Sequence, residues 1–251
     1  MNLELSNKVA LITGSSRGIG RAIAQSLHAE GCQVALNARH GRDLAATSAA
    51  LHGSIAIVAD MTIPKDAQRA VLEVLDKFGR LDILVCNVGS GSSVSPGNES
   101  LEEWHRVFNL NLWSATNIIE AARDALVISK GAVVCISSIC GSEVIIGAPL
   151  TYSGAKAALT AYVCGMARPL GKQGVRINAV ALGNILSEDS AWARKMTYDA
   201  VGLQAMLERE VALGRLGTTE EAASLVTYLA SRRAAFATGA IWTLDGGQAH
   251  R

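Results

Sequence analysis

Short apolar runs alternate with longer stretches of helical periodicity from one end of the chain to the other. Lys8–Thr13 sets Val9, Ala10, Leu11 and Ile12 in succession without polar alternation, the signature of a strand covered on both faces. Val34–Asn37, Ile55–Val58, Ile83–Asn87, Ala132–Ile136, Arg176–Val180 and Ala240–Leu244 repeat it. Helical stretches lie between them. Pro64–Phe78 opens on a proline suited to a first helical turn and stops at Gly79. Ser100-Leu101-Glu102-Glu103 reads as a capping box before an amphipathic run to about Ser129, and Thr218-Thr219-Glu220-Glu221 as a second, opening a helix to about Ser231. Seven strands alternating with about six helices predict an α/β fold, a doubly wound open parallel sheet with helices on both faces. No linker, repeat or low-complexity tract divides the chain, so residues 1–251 read as a single domain. Gly183–Gly214 breaks the rhythm. It is too long for an ordinary connection and carries its own helical pattern at Ala200–Ala212, which predicts a lid over about 184–214 at the carboxyl end of a strand.

Composition narrows the classes. With 251 residues, 49% of them hydrophobic, the chain can bury one large core without disulfides or metal. A formal charge of +1 argues against a nucleic-acid binder or a partner for acidic membranes, both of which need a basic excess. No window approaches 18 consecutive apolar residues, and the start shows no basic and apolar secretory pattern, so the expected setting is cytoplasmic. Cys32, Cys86, Cys135, Cys140 and Cys164 are odd in number and lack CxxC spacing; they read as small buried hydrophobes. His28, His40, His52, His105 and His250 lack ligand spacing, and no metal site is expected.

Thr13-Gly14-Ser15-Ser16-Arg17-Gly18-Ile19-Gly20 follows the first strand and opens a helix. In that position glycines allow a tight turn, close approach of a diphosphate and close helix–strand packing, while the helix start offers free N–H groups to phosphate. The reading is a Rossmann-like dinucleotide site. No Gly-Lys-Ser/Thr ending supports a nucleoside triphosphate loop. At the end of the second strand, where an NAD site carries an acid for the ribose hydroxyls, Leu36–Arg42 has none and supplies Arg39 instead. Arg39 and Arg17 can grip a 2′-phosphate through charge-assisted forks, which favours NADP(H) over NAD(H); solvated surface arginines are the alternative.

Tyr152 and Lys156 stand four apart, on one face of a helix. A neighbouring ammonium stabilises phenolate, so the tyrosine pKa is expected to fall from about 10 toward neutrality, fit for proton exchange with an alcohol or alkoxide. The motif alone is a common surface coincidence. Ser138 ends an apolar strand at the carboxyl edge of the sheet, where a loop or cap role is the alternative. Asn111 interrupts a long helix in which an amide is a poor former, and simple packing would also explain it.

The ordered set Thr-Gly-x-x-x-Gly-x-Gly, Asn87-x-Gly89, Asn111, Ser138 and Tyr-x-x-x-Lys resembles the short single-domain branch of the short-chain dehydrogenase/reductase family, 3-oxoacyl-(acyl-carrier-protein) reductases among them. The likeness runs nearly the whole chain, through Arg215-Leu216-Gly217 to Leu244-Asp245-Gly246-Gly247. It implies Tyr152 as general acid/base, Lys156 on the nicotinamide ribose, Ser138 on the substrate carbonyl oxygen and Asn111 supporting a proton-carrying water chain. It implies cofactor contacts at Gly14, Ser16, Arg17, Gly18, Ile19, Gly20, Arg39, Asp60, Met61, Asn87, Gly89, Gly183, Ile185 and Ser187, besides Tyr152 and Lys156. It also implies a homotetramer or homodimer, for which the small-residue run Ala155–Ala167 offers a packing face. The chain departs from the family pattern at Cys86, Val88 and Leu182, the last replacing a rigid proline; Gly154 is unusual in a helix, though its size suits close cofactor approach. Ser90–Pro96, Ser142–Leu150 and the lid from Asn184 are the expected substrate lining. The hydroxyl-rich first of these would suit a sugar-like ketone or simply be a solvated, flexible loop. On the lid, Arg194 and Lys195 would suit a phosphopantetheine arm, but Glu188 and Asp189 beside them favour a solvated face. The expected partner is thus a small carbonyl or alcohol substrate, free or bound to acyl carrier protein; a non-catalytic dinucleotide sensor is the reading from another class.

Overall fold

The computed structural model describes residues 1–188 and 190–249; Asp189 and His250 lie outside the described residues. Seven parallel strands form one sheet in the order β3-β2-β1-β4-β5-β6-β9, with β1 Val9–Ile12, β2 Gln33–Ala38, β3 Ile55–Val58, β4 Ile83–Cys86, β5 Ala132–Ser138, β6 Arg176–Leu182 and β9 Ile241–Leu244. These are the seven apolar runs of the sequence. Central strands lack alternation because both faces are covered: all four residues of β1 are buried. The edges differ. Residues of β3 alternate in exposure over its second half, and all four of β9 are only half-buried. Chain order reverses between β1 and β4, so the loops leaving their carboxyl ends part there and leave a crevice.

Two apolar layers sandwich the sheet. On one face α3 (Pro64–Phe78), α5 (Ser114–Ser129) and α6 (Leu150–Gly171) bury Val71, Val74, Ile118, Ile119, Leu159 and Val163. On the other, α1 (Gly18–Ala29), α2 (Gly41–Ala49) and α9 (Thr219–Ala230) bury Ile23, Leu27, Leu44, Val226 and Leu229. Helix α3 has the predicted bounds, closed by Gly79 at φ +73°. Helix α9 carries the predicted capping box in full, Thr218 and Glu221 each accepting from the other's backbone N–H. Among the described residues no helix is long and apolar enough to cross a membrane.

Four expectations need correction. The single helix expected from Ser100 to Ser129 is interrupted: α4 (Leu101–Phe108) passes into a π-helical turn at Asn109–Trp113 before α5 resumes. The Ser100 box is half made, because Ser100 accepts from Glu103 N while the Glu103 carboxylate turns to Ser93 and Arg106. The lid is built more fully than its apolar pattern implied. It has β7 (Ile185–Leu186), α7 (Ala191–Tyr198) and α8 (Ala200–Glu210), and β7 pairs with β8 (Gly217–Thr218) to close its base. Of the cysteines, Cys32, Cys86 and Cys135 are buried, but Cys140 is half-buried and Cys164 exposed.

Candidate active site

The glycine turn lies in the crevice where β1 ends. Gly14 (φ +64°) and Gly18 (φ +54°) take left-handed backbone that a side chain would strain, and a Cβ on Gly20 would collide with the Gly14 carbonyl oxygen. The turn is held from beneath. Asn87 Nδ2 donates to the carbonyl oxygens of Thr13 (3.1 Å) and Gly14 (2.9 Å), and Asn87 N donates to Thr13 Oγ1 (3.0 Å). Both amide hydrogens of Asn87 therefore support the turn. Arg17, which precedes α1, makes no side-chain cap, and the first turn of α1 has no acid, in contrast with α4 and α9. That helix start is an electropositive N–H cluster whose own first turn carries no acid, which fits a dinucleotide diphosphate. Arg17 and Arg39 are both exposed; Ser16 and Ile19 are half-buried.

Sequence reasoning missed Asn37. It is buried at 1% exposure, its Nδ2 donates to Ile57 O (3.1 Å) and Ala59 O (3.0 Å), and its backbone N donates to Ser15 Oγ (3.0 Å). It ties β2, β3 and the glycine turn together; the available signal was one amide closing an apolar run. Asp60 Oδ1 accepts from Thr62 N (2.9 Å) and Thr62 Oγ1 (2.8 Å). Met61 is buried in the core, as is Ile185, so any cofactor contact there is through the backbone.

The catalytic candidates converge at the carboxyl end of β5. Ser138 is the last residue of β5 and Tyr152 sits in the first turns of α6, where the Ser138 hydroxyl eases ionisation of the phenol. Lys156 is buried at 3% exposure; its Nζ donates to Ile136 O (2.9 Å) and stands 5.8 Å from the centre of the Tyr152 ring. Gly141 permits this, since a Cβ there would lie 2.6 Å from the Lys156 carbonyl carbon. Asn111 lies in the π-turn, a bulge type frequent at functional sites. Its Nδ2 donates to Val107 O (3.0 Å) and Ser90 O (3.1 Å), and its Oδ1 accepts from Ser90 N (3.0 Å). Gly89 joins the group: a Cβ there would fall 2.8 Å from Asn111 Oδ1 and 3.2 Å from Lys156 Nζ.

The electrostatics differ from expectation. Burial pushes the Tyr152 phenol up to about 12, with the Ser138 hydrogen bond pulling the other way; it does not fall toward neutrality. Burial also lowers the Lys156 ammonium to about 8. The ammonium faces the Ile136 carbonyl and the tyrosine ring, and desolvation outweighs its help to a phenolate. Gly154 has another role than cofactor approach. A Cβ on it would sit 3.2 Å from Trp104 Cζ3, so its size serves the packing of α4 on α6.

The lid meets the glycine turn. Leu182 extends β6 in register with Ser138 and Leu244, which takes over the rigidity expected of a proline. Gly183 N donates to Leu244 O (3.0 Å), and a Cβ on Gly183 would press on Asp245. Ser187 Oγ would lie 3.4 Å from a Cβ on Gly18, and Glu188 pairs with Arg21 at 2.9 Å. A cavity of about 640 Å³ opens between α1 and α7, bordered by Gly18, Ser187 and Glu188; Tyr152 does not line it. Among the described residues no cluster of three potential ligands could hold a metal.

Comparison with known proteins accords with this arrangement. Residues 14–249 match the family model described as enoyl-(acyl carrier protein) reductase. The chain is 34% identical to L-rhamnose 1-dehydrogenase (NAD(P)(+)) of a Sphingomonas species, over 97% of this chain and 96% of that one. It is 32% identical to the 3-oxoacyl-(acyl-carrier-protein) reductase of Escherichia coli, over 98% of each. The crystal structure of L-sorbose reductase from Gluconobacter frateurii, complexed with NADPH and L-sorbose, superposes with a TM-score of 0.93 at 30% identity over 100% of both chains. The fold, the ordered motifs and these whole-length similarities place the chain in the short-chain dehydrogenase/reductase family of oxidoreductases.

Proposed function

We propose that this enzyme interconverts a ketone and a secondary alcohol with NADP(H), and that its substrate is an acyl ketone of the 3-oxoacyl thioester class. The observation that carries the reaction is the convergence of Ser138, at the end of β5, and Tyr152, in the first turns of α6, beside buried Lys156. A substrate carbonyl oxygen set between the two hydroxyls accepts from both, so charge developing on it is stabilised as the carbon is reduced. Tyr152, protonated at neutral pH, gives its proton to that oxygen; for the alcohol the transfer runs in reverse. The turn of Gly14, Gly18 and Gly20, with Lys156, Ser187 and the backbone at Asp60, Gly89 and Ile185, would hold a dinucleotide whose nicotinamide would supply or take up the hydride. The exposed guanidinium groups of Arg17 and Arg39, with no acid at the end of β2, favour the 2′-phosphate form.

Two features favour an acyl substrate. Val144 and Ile146 stand 95% and 99% exposed just before the catalytic helix, as an apolar flank. Two of the serines after Gly89 are already engaged: Ser90 Oγ accepts from Ser92 N (3.1 Å), and Ser93 Oγ bonds Glu103 on α4 and Thr151 on α6 (2.6 Å each). A sugar-like ketone is the second reading, favoured by the whole-length likeness to L-sorbose reductase. The test follows absorbance at 340 nm with NADPH and either a short 3-oxoacyl thioester or a ketohexose. The expected result is turnover of the thioester with kcat/KM at least about tenfold above the ketose, a gap of about 1.4 kcal/mol; the reverse order transfers the assignment to the polar ketone.

A further inference from the structure

The loop after β4 carries a second set of polar groups that the proton transfer does not use. Thr151 immediately precedes Tyr152 and is buried at 0% exposure. Its Oγ1 lies 2.6 Å from Ser93 Oγ, and Ser93 Oγ lies 2.6 Å from Glu103 Oε1. Arg106 grips the same carboxylate with two hydrogen bonds, Nε to Oε2 (2.7 Å) and Nη2 to Oε1 (2.6 Å), and its Nη2 also donates to Ser92 O (2.9 Å). Arg106 and Ser93 hold the Glu103 carboxyl down at about 2, so it is ionised and only accepts. That fixes the direction of the chain: Thr151 donates to Ser93, and Ser93 donates to Glu103. The connection spans three segments, the loop after β4, helix α4 ten residues on, and the first turn of α6 far along the chain.

Its location gives it a consequence for the site. Asn111 clasps both backbone groups of Ser90, and the Arg106–Glu103 pair clasps Ser92 and Ser93. Between the two clasps lies Gly91, where a Cβ would lie 3.8 Å from Tyr152 Cε1. We propose that Ser93, Thr151 and Glu103 form a positioning relay that sets the distance between the wall at Gly91 and the Tyr152 ring, and thereby how a substrate carbonyl seats on Tyr152. The proposal explains why Glu103 leaves the capping box at Ser100 half made: its carboxylate serves the relay instead. It rests on the reading of Tyr152 as the proton donor for its kinetic arm, but its structural arm stands alone. A buried hydroxyl beside a catalytic residue would otherwise need only some acceptor; here the acceptor belongs to the substrate wall.

The test compares Thr151→Val, Ser93→Ala and Glu103→Gln with the rescue variant Thr151→Ser in the full-length enzyme. Steady-state kinetics are read together with hydrogen exchange of peptides covering residues 90–96. Misplacement by a fraction of an ångström lowers kcat by about ten- to a hundredfold in Thr151→Val and Ser93→Ala, with KM changed less than about threefold. NADPH binding, followed by its fluorescence, stays within about twofold, and exchange across 90–96 speeds up by about tenfold. Thr151→Ser recovers most of the kcat. The proposal is overturned if Thr151→Val or Ser93→Ala keeps both parental kcat and parental exchange, or if Thr151→Ser is no better than Thr151→Val. Should Thr151→Val fail to fold, Ser93→Ala, on a half-buried loop residue, decides alone. A parent enzyme inert toward every ketone would refute the proposed reaction, while the exchange data would still decide the relay.

Discussion

Tyr152 and Lys156 owe their behaviour to burial, and that has two measurable consequences. Phenylalanine at position 152 removes the proton donor without changing shape, so Tyr152→Phe is expected to lower kcat/KM by about 10³-fold while NADPH titration stays unchanged. Retained turnover would remove Tyr152 from the chemistry. Lys156 titrates at about 8 and Tyr152 at about 12, so at neutral pH both hold their protons. Raising the pH discharges the lysine first. Ketone reduction should therefore be flat near neutrality and decline above about pH 8, and a profile flat to pH 10 would show that the ammonium is dispensable. At the cofactor end, Arg17→Ala with Arg39→Ala should weaken NADPH by about ten- to a hundredfold and leave NADH nearly untouched, because each charge-assisted fork contributes about 1.5–3 kcal/mol before solvent screening. Equal loss for both nucleotides would dissociate the arginines from the 2′-phosphate.

At the scale of elements, helix α1 and the turn before it depend on one close contact. The Gly20 Cα passes so near the Gly14 carbonyl that no side chain fits, and the neighbour is backbone pinned by Asn87. Gly20→Ala should therefore displace the turn, lowering stability by about 1–3 kcal/mol and NADPH affinity together. Thermal melting and fluorescence titration on the same sample read both; loss of neither would show the turn to be pliable. The π-turn of Asn109–Trp113 is the other element with a purpose. It inserts one residue into the α4–α5 path, and Asn111 then meets Ser90, with Gly89 flanked by Asn111 Oδ1 and Lys156 Nζ.

The whole molecule leaves two kinds of surface unfinished. Strand β9 is a half-buried sheet edge, and beside it Phe236 is wholly exposed. Helix α6 turns Leu159 and Val163 inward but presents Ala157, Ala161, Cys164 and Gly165 outward, a small-residue stripe that lets a second helix approach closely. The family resemblance implies a homotetramer or homodimer, and we propose that copies of the chain cover both surfaces as the tetramer. Light scattering should return four times the 26.2 kDa chain mass, and a monomer would contradict the assembly.

Much of this was legible in the sequence. Apolar run lengths specified all seven strands of the main sheet, since a strand covered on both faces has no polar positions to disguise it; local stop and start chemistry placed α3 and α9. Ser138, Tyr152 and Lys156 stood out in the sequence through the family resemblance of the ordered set, since each motif alone reads as a cap or a surface coincidence. What only the tertiary structure decided involves partners distant along the chain. Strand order places the crevice between β1 and β4, and no local pattern encodes order. The serine-rich loop reads as solvated until Glu103, Arg106 and Thr151 arrive from other elements to fasten it. Asn37 reads as the end of a strand until β3 and the glycine turn meet it. The tyrosine titrates upward because desolvation is a property of the packed interior, whereas helical spacing reports only that a lysine is near.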